Sequence, residues 1–96
     1  MTPLYTTEIV EQPDGPRAPA RVQRRLETVI RVTDGVVYVV TGEHETVLLP
    51  GDEIVIPAGE PYRRWNAGDE EARYVEAFRP VAVAPRPAPA QLAAAF

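Results

Sequence analysis

From residue 34 onward the chain is cut into short β-branched and aromatic runs by turn signals at 8–12-residue spacing, a pattern that fits an all-β sandwich or barrel. Asp34–Gly35 is a turn signal between two apolar runs, the strongest short-range mark of a hairpin. VVYVV (36–40) follows, then a turn at 41–43, HETVLL (44–49) and the Pro50–Gly51–Asp52 turn. EIVIP (53–57) closes on Ala58–Gly59–Glu60–Pro61, and YRRWN (62–66) and ARYVEAF (72–78) flank a turn-rich AGDEE link. Upstream, ARVQRRLETVIRV has apolar residues at both helical and strand spacing, and the β-branched TVIRV tips its second half toward strand. Residues 2–12 read as a peripheral strand, and the Pro-rich 13–20 as a loop. The segment 80–96 is Pro/Ala-rich and reads as a tail, extended to Pro89 with a short helical turn in QLAAAF. The expectation is one domain over 1–80 with its core at about 20–80, followed by an 81–96 tail.

Composition narrows the chemistry before any motif is considered. The 96 residues contain no Cys, no Ser and no Lys, and all ten basic residues are Arg. Disulfides, thiolate–metal sites, Ser and Cys nucleophiles and lysine Schiff bases are therefore excluded. The single histidine, His44, rules out any site that needs two imidazoles from one chain. Carboxylates, Thr and Tyr hydroxyls, one imidazole and arginine cations remain. A net charge of −4 argues against a nucleic-acid partner, although Arg21, Arg24 and Arg25 form a local basic cluster that otherwise reads as a solvated face. No apolar run approaches the ~18–20 residues needed to cross a membrane, and no basic-then-apolar leader is evident. The expectation is a soluble, cytoplasmic protein without a membrane partner, and the Arg/Ala/Pro-rich, lysine-free composition suggests a bacterial source.

The run GDEIVIPAGEPYRRWN, Gly51 to Asn66, resembles the second conserved motif of the cupin superfamily: Gly, five residues, Pro-x-Gly, two residues, His, three residues, Asn. Gly51, Pro57, Gly59 and Asn66 fall in register, so four of five anchors match. The continuation NAGDEEAR, leading to Arg79–Pro80, is also similar to small bacterial cupins. The physics of the anchors agrees: glycine suits sharp turns and Pro57 ends a strand without losing a ladder bond. The resemblance implies a single small cupin-type β-barrel, jelly-roll-like, with a short N-terminal strand. The family's metal ligands are missing. Tyr62 stands at the histidine of the second motif, and counting back from Gly35 places Thr28 at the glutamate of the first. The His-x-His pair falls either on Arg21 and Gln23 or on Val22 and Arg24. Glu27, one residue off, should face the opposite side of the strand. A cupin centre needs about four N/O ligands, so neither a metal nor any other cofactor is expected.

In this register strand alternation puts Thr28, Ile30 and Val32 on one face and Ile54 with Ile56 on another. Tyr62 and Arg64 point inward, Arg63 and Trp65 outward, and Tyr74, Glu76 and Phe78 share parity. His44, Thr46 and Leu48 share parity too, with Leu48 in the core. The candidate binding groups are Arg64, Gln23, Thr28 and Arg21, and the candidate catalytic groups Tyr62, Glu76 and His44. Three functions are compatible with them. The first is metal-independent proton transfer, such as isomerisation, epimerisation or cyclisation, with Glu76 or His44 as base, Tyr62 as acid and Arg64 holding an anion. The second is a non-catalytic module that binds a small organic anion. The third is a structural or assembly role with a filled barrel. Plainer roles compete for each residue: Arg64 as the ion-pair partner of Glu76 or Asp52, Tyr62 as a core tyrosine, His44 as a solvated or ion-paired side chain. A homodimer through outward Val29, Val37, Val39 and Trp65 is the expected assembly.

Overall fold

The computed structural model describes residues 5–13, 15 and 17–81. Seven strands run in chain order: β1 (Tyr5–Glu11), β2 (Leu26–Asp34), β3 (Val37–Thr41), β4 (His44–Leu48), β5 (Glu53–Ile56), β6 (Tyr62–Asn66) and β7 (Ala72–Pro80). They form two antiparallel sheets, one ordered β1-β7-β2-β5 and the other β4-β3-β6. Alternation decides which residues meet between them. Ile30 and Val32 of β2, Ile56 of β5, Val37 and Val39 of β3, Leu48 of β4, Tyr62 of β6, and Ala72 and Tyr74 of β7 are all buried in one cluster. Burying each Val or Ile is worth roughly 1.5–3 kcal/mol, and these inner faces are what hold the sheets together.

Two sequence expectations are corrected here. Asp34–Gly35 does not close a hairpin, because β2 and β3 lie in different sheets and the turn carries the chain across the sandwich. Gly35 has φ of 79°, and a Cβ there would stand 2.8 Å from the Ala72 Cα and from the Glu71 carbonyl oxygen, so the crossing depends on glycine. Val37 and Val39 were expected to face outward, yet they are 0% and 1% exposed. Five consecutive apolar residues carry no alternation from which to set the phase, and the crossover sets it one residue away from the expectation. Tyr38 and Trp65 pack together instead on the outer face, ring centroids 4.9 Å apart and tilted by 53°, with the Arg17 guanidinium 4.5 Å from the Trp65 ring. The peripheral strand expected over 2–12 is observed as Tyr5–Glu11. The expected tail lies outside the described residues except for Val81.

The motif glycines behave as turns require, Gly51 with φ of 93° and Gly59 with 84°. The segment before β2 also takes a defined place. Arg21 bridges Tyr62 by two backbone hydrogen bonds, 2.8 and 2.9 Å, and the Gln23 carbonyl accepts from the Gly59 N–H at 2.7 Å. This segment covers the free edge of β6 and brings Arg21 beside the interior.

Candidate functional site

β6 supplies three inward side chains two residues apart, Tyr62, Arg64 and Asn66, and each is buried. β7, next to β1 and β2 in the facing sheet, supplies Tyr74 and Glu76 in the same way. The two strands therefore oppose a guanidinium to a carboxylate inside the sandwich. Arg64 Nε donates to Glu76 Oε2 at 2.6 Å and Nη2 to Oε1 at 3.2 Å, a bidentate pair. The Tyr62 hydroxyl donates to Glu76 Oε2 at 3.0 Å. Arg64 Nη1 turns the other way, donating to the Tyr74 hydroxyl at 2.8 Å and to Glu11 Oε1 at 3.4 Å, and the Tyr74 hydroxyl itself donates to Glu11. Arg21 Nη1 approaches Glu76 Oε1 at 3.6 Å, its side chain 51% exposed.

Asn66 explains why Glu11 belongs to this network. Its Nδ2 donates to the Glu11 carbonyl at 3.0 Å and to the Glu70 carbonyl at 2.7 Å, while its Oδ1 accepts from the Gly68 N–H at 2.9 Å. One side chain thereby fixes the β6–β7 turn and pins the end of β1 against the site. Glu11 is 23% exposed and Arg21 half exposed, so these two residues connect the buried pair to solvent.

The electrostatics follow from burial. Desolvation raises the Glu11 pKa; Arg64 and Arg21 pull it down, Glu76 pushes it up, and the net direction is upward. Tyr62 is pushed up to about 12 by burial and by the charge of Glu76, against a hydrogen bond from Thr28. For Arg64, burial pulls the pKa down, but the hydrogen bond and charge of Glu76, with the charge of Glu11, outweigh it and the net direction is a rise. Arg64 is a permanent cation. Among the described residues, no buried side-chain N or O atom lacks a hydrogen-bond partner.

Of the residues singled out in the sequence, Tyr62, Arg64, Glu76 and Arg21 come together, with Thr28 buried beside Tyr62. His44 does not join them. It is exposed at the start of β4, opposite Thr41, away from the Arg64–Glu76 pair. Gln23 contributes its backbone carbonyl to Gly59, and Glu27 faces outward to Arg79 at 3.4 Å. Sequence reasoning missed Glu11 and gave Tyr74 no role. Tyr74 was legible in its parity with Glu76; Glu11 had no local signal, because its place depends on the register of β1 against β7.

The donor set does not fit a cupin metal. Thr28 and Tyr62 stand where two ligands would be, and both oxygens of Glu76 already accept from Arg64. Two guanidinium groups would face any bound cation, and among the described residues no three His, Asp or Glu side chains converge. An open groove of about 190 Å³ lies beside this network, where β3 ends and β6 begins, lined by Ala20, Val40, Gly42, Pro61, Tyr62 and Arg63. It is smaller than the ~300 Å³ at which small-molecule pockets usually begin, and Arg64 and Glu76 do not line it.

Comparison with known proteins gives the same architecture. The family model described as "Cupin domain" matches residues 8–78. A Bacillus halodurans structure superposes with a TM-score of 0.71 at 20% identity, over 82% of this chain and 64% of that one. The cupin domain of CENP-C from Drosophila melanogaster gives 0.70 at 22%, over 79% and 57%. A Thermotoga maritima protein described as a predicted oxalate decarboxylase gives 0.72 at 12%, over 79% and 65%. The chain thus spans less than two thirds of the length of each. At these identities the likeness shows the fold alone. No curated protein matches the sequence. Among the described residues no helix is long and apolar enough to cross a membrane.

Proposed function

The chain belongs to the cupin domain family, and we propose that within this fold it binds a small organic anion at Arg64, without a metal ion. The observation that carries the proposal is the buried charge network itself. A buried ion pair is a poor source of stability, because well-packed apolar residues of similar volume do as well or better. Here Arg64, Glu76, Tyr62 and Tyr74 occupy interior positions that Leu and Phe could fill, in a small domain with little core to spare. The network also reaches solvent through Arg21 and Glu11, which gives an entering anion a route to a second guanidinium.

Binding is favoured over proton transfer by the state of the candidate acid and base. A tyrosine held near 12 is a weak proton donor at neutral pH. Both oxygens of Glu76 are engaged by Arg64, with Tyr62 on one of them, which leaves the carboxylate poorly placed as a base. The test is a thermal-unfolding titration with a panel of small mono-, di- and hydroxycarboxylates at constant ionic strength. A ligand at a hundredfold excess over its Kd adds about 2.7 kcal/mol, on the order of ten degrees in midpoint for a domain of this size. At least one carboxylate should give a saturable rise, weakened by Arg21→Ala and abolished by Arg64→Gln. A flat response across the panel would end the proposal.

A further inference from the structure

Glu11 is an unusual member of the network. Its carboxylate comes from β1, which among the described residues pairs only with β7 and forms the edge of its sheet. It accepts from Arg64 Nη1 and from the Tyr74 hydroxyl, two donors carried by the interior of the sandwich. Without the Glu11 side chain, a guanidinium N–H and a phenol O–H would converge on one point near the surface. A charged N–H beside a neutral O–H is the donor pair that one carboxylate satisfies.

We propose that Arg64 Nη1 and the Tyr74 hydroxyl form a carboxylate subsite, and that Glu11 occupies it in the free chain as an internal stand-in for the ligand. This rests on the reading of the interior as an anion site and names its ligand class, a small monocarboxylate. The Arg64–Glu76 bidentate pair uses Nε and Nη2 and stays intact when Glu11 leaves, so exchange opens only one side of the guanidinium. Geometry makes Glu11 the member that yields. It is the more exposed of the two carboxylates, 23% against 3%, and its contact with Arg64 is the long one, 3.4 Å against 2.6 Å. Burial also works against its ionised form, as its raised pKa records. The backbone need not move far, because Asn66 holds the Glu11 carbonyl independently of the side chain. A rotation of the glutamate toward solvent clears the subsite.

The experiment compares wild type, Glu11→Gln and Glu11→Ala, each titrated with sodium acetate and sodium propionate against sodium chloride and phosphate at matched ionic strength. Thermal midpoint and Trp65 fluorescence are the readouts. The alanine variant, with the subsite vacated, should bind acetate at least tenfold more tightly than wild type. The glutamine variant should fall between, because its amide oxygen still accepts from Arg64 and Tyr74 without the charge. Tyr74→Phe in the alanine background should lose most of the gain. If Glu11→Ala is unfolded in chloride, recovery of the fold by acetate is the expected result, and failure to recover overturns the subsite. Equal affinity in all three chains would overturn the role of Glu11 while leaving anion binding at Arg64 standing. Absence of acetate and propionate binding in all three would overturn the monocarboxylate subsite, while the wider carboxylate panel alone decides anion binding at Arg64. An equal response to phosphate would show general anion screening and overturn the carboxylate subsite.

Discussion

Arg64→Leu isolates the energetics of the buried pair. Glu76 is 2% exposed, and Arg64 supplies two of the hydrogen bonds to its carboxylate, at 2.6 and 3.2 Å. After the substitution the carboxylate keeps the Tyr62 hydroxyl at 3.0 Å and a distant, half-exposed Arg21 at 3.6 Å. An uncompensated buried charge costs about 3–5 kcal/mol. Set against the roughly 5–15 kcal/mol total of a small domain, that is a large share of the stability. The double variant Arg64→Leu/Glu76→Leu removes the charge along with its partner, while Tyr74 and Glu11 retain one another. It should lose under about 2 kcal/mol, so the cycle shows a coupling of at least about 2 kcal/mol. Urea unfolding followed by fluorescence of Trp65, the chain's one tryptophan, measures all four chains, and equal m-values confirm that they unfold between comparable states. If the single variant lost less than about 1 kcal/mol, or the double variant lost the sum of the two singles, the claim of a desolvated, mutually dependent pair would be refuted.

Three further outcomes follow from the same geometry. Because the Tyr62 hydroxyl is raised from 10.0 to about 12 in the fold, its contribution is fully present below pH 10 and is lost as pH climbs toward 12. A loss of about 2 kcal/mol by pH 11.5, at ~1.36 kcal/mol per unit, should appear in urea unfolding against pH 8 and vanish in Tyr62→Phe. Gly35→Ala forces a Cβ to 2.8 Å from Ala72 Cα at a φ of 79°. It should cost roughly 2 kcal/mol or more by chemical denaturation. His44→Ala, on the exposed start of β4, should change stability by less than about 0.5 kcal/mol and leave carboxylate binding as it was.

The parts of this molecule that are readable from sequence are those governed by local rules. Sixteen residues from Gly51 to Asn66 carry turn glycines, a strand-ending proline and an inward-facing asparagine. Period-two alternation along β6 and β7 then suffices to put Tyr62, Arg64 and Glu76 in one interior. Alternation fails where there is none to read: the uniformly apolar 36–40 run could be phased either way, and its true phase is set by a sheet-to-sheet crossing at Gly35. Glu11 lay further out of reach, since strand pairing across more than sixty residues is decided by side-chain packing and by Asn66 catching a carbonyl. His44 misled for the opposite reason. A lone imidazole in a chain with little other acid–base chemistry invites a catalytic role, but nothing local ties a residue at a hairpin tip to the barrel interior.

Arg64 itself reports most directly on whether the interior is an anion site. Its Nε–H, buried and bonded to Glu76 at 2.6 Å, should exchange slowly enough to give a resolved signal in ¹H–¹⁵N spectra. Titration with a carboxylate that raises the unfolding midpoint should shift that signal saturably, with the same midpoint concentration, together with the Glu11 and Asn66 amides. A carboxylate that stabilises the fold while the Arg64 signal stays fixed would place the binding elsewhere and contradict the account.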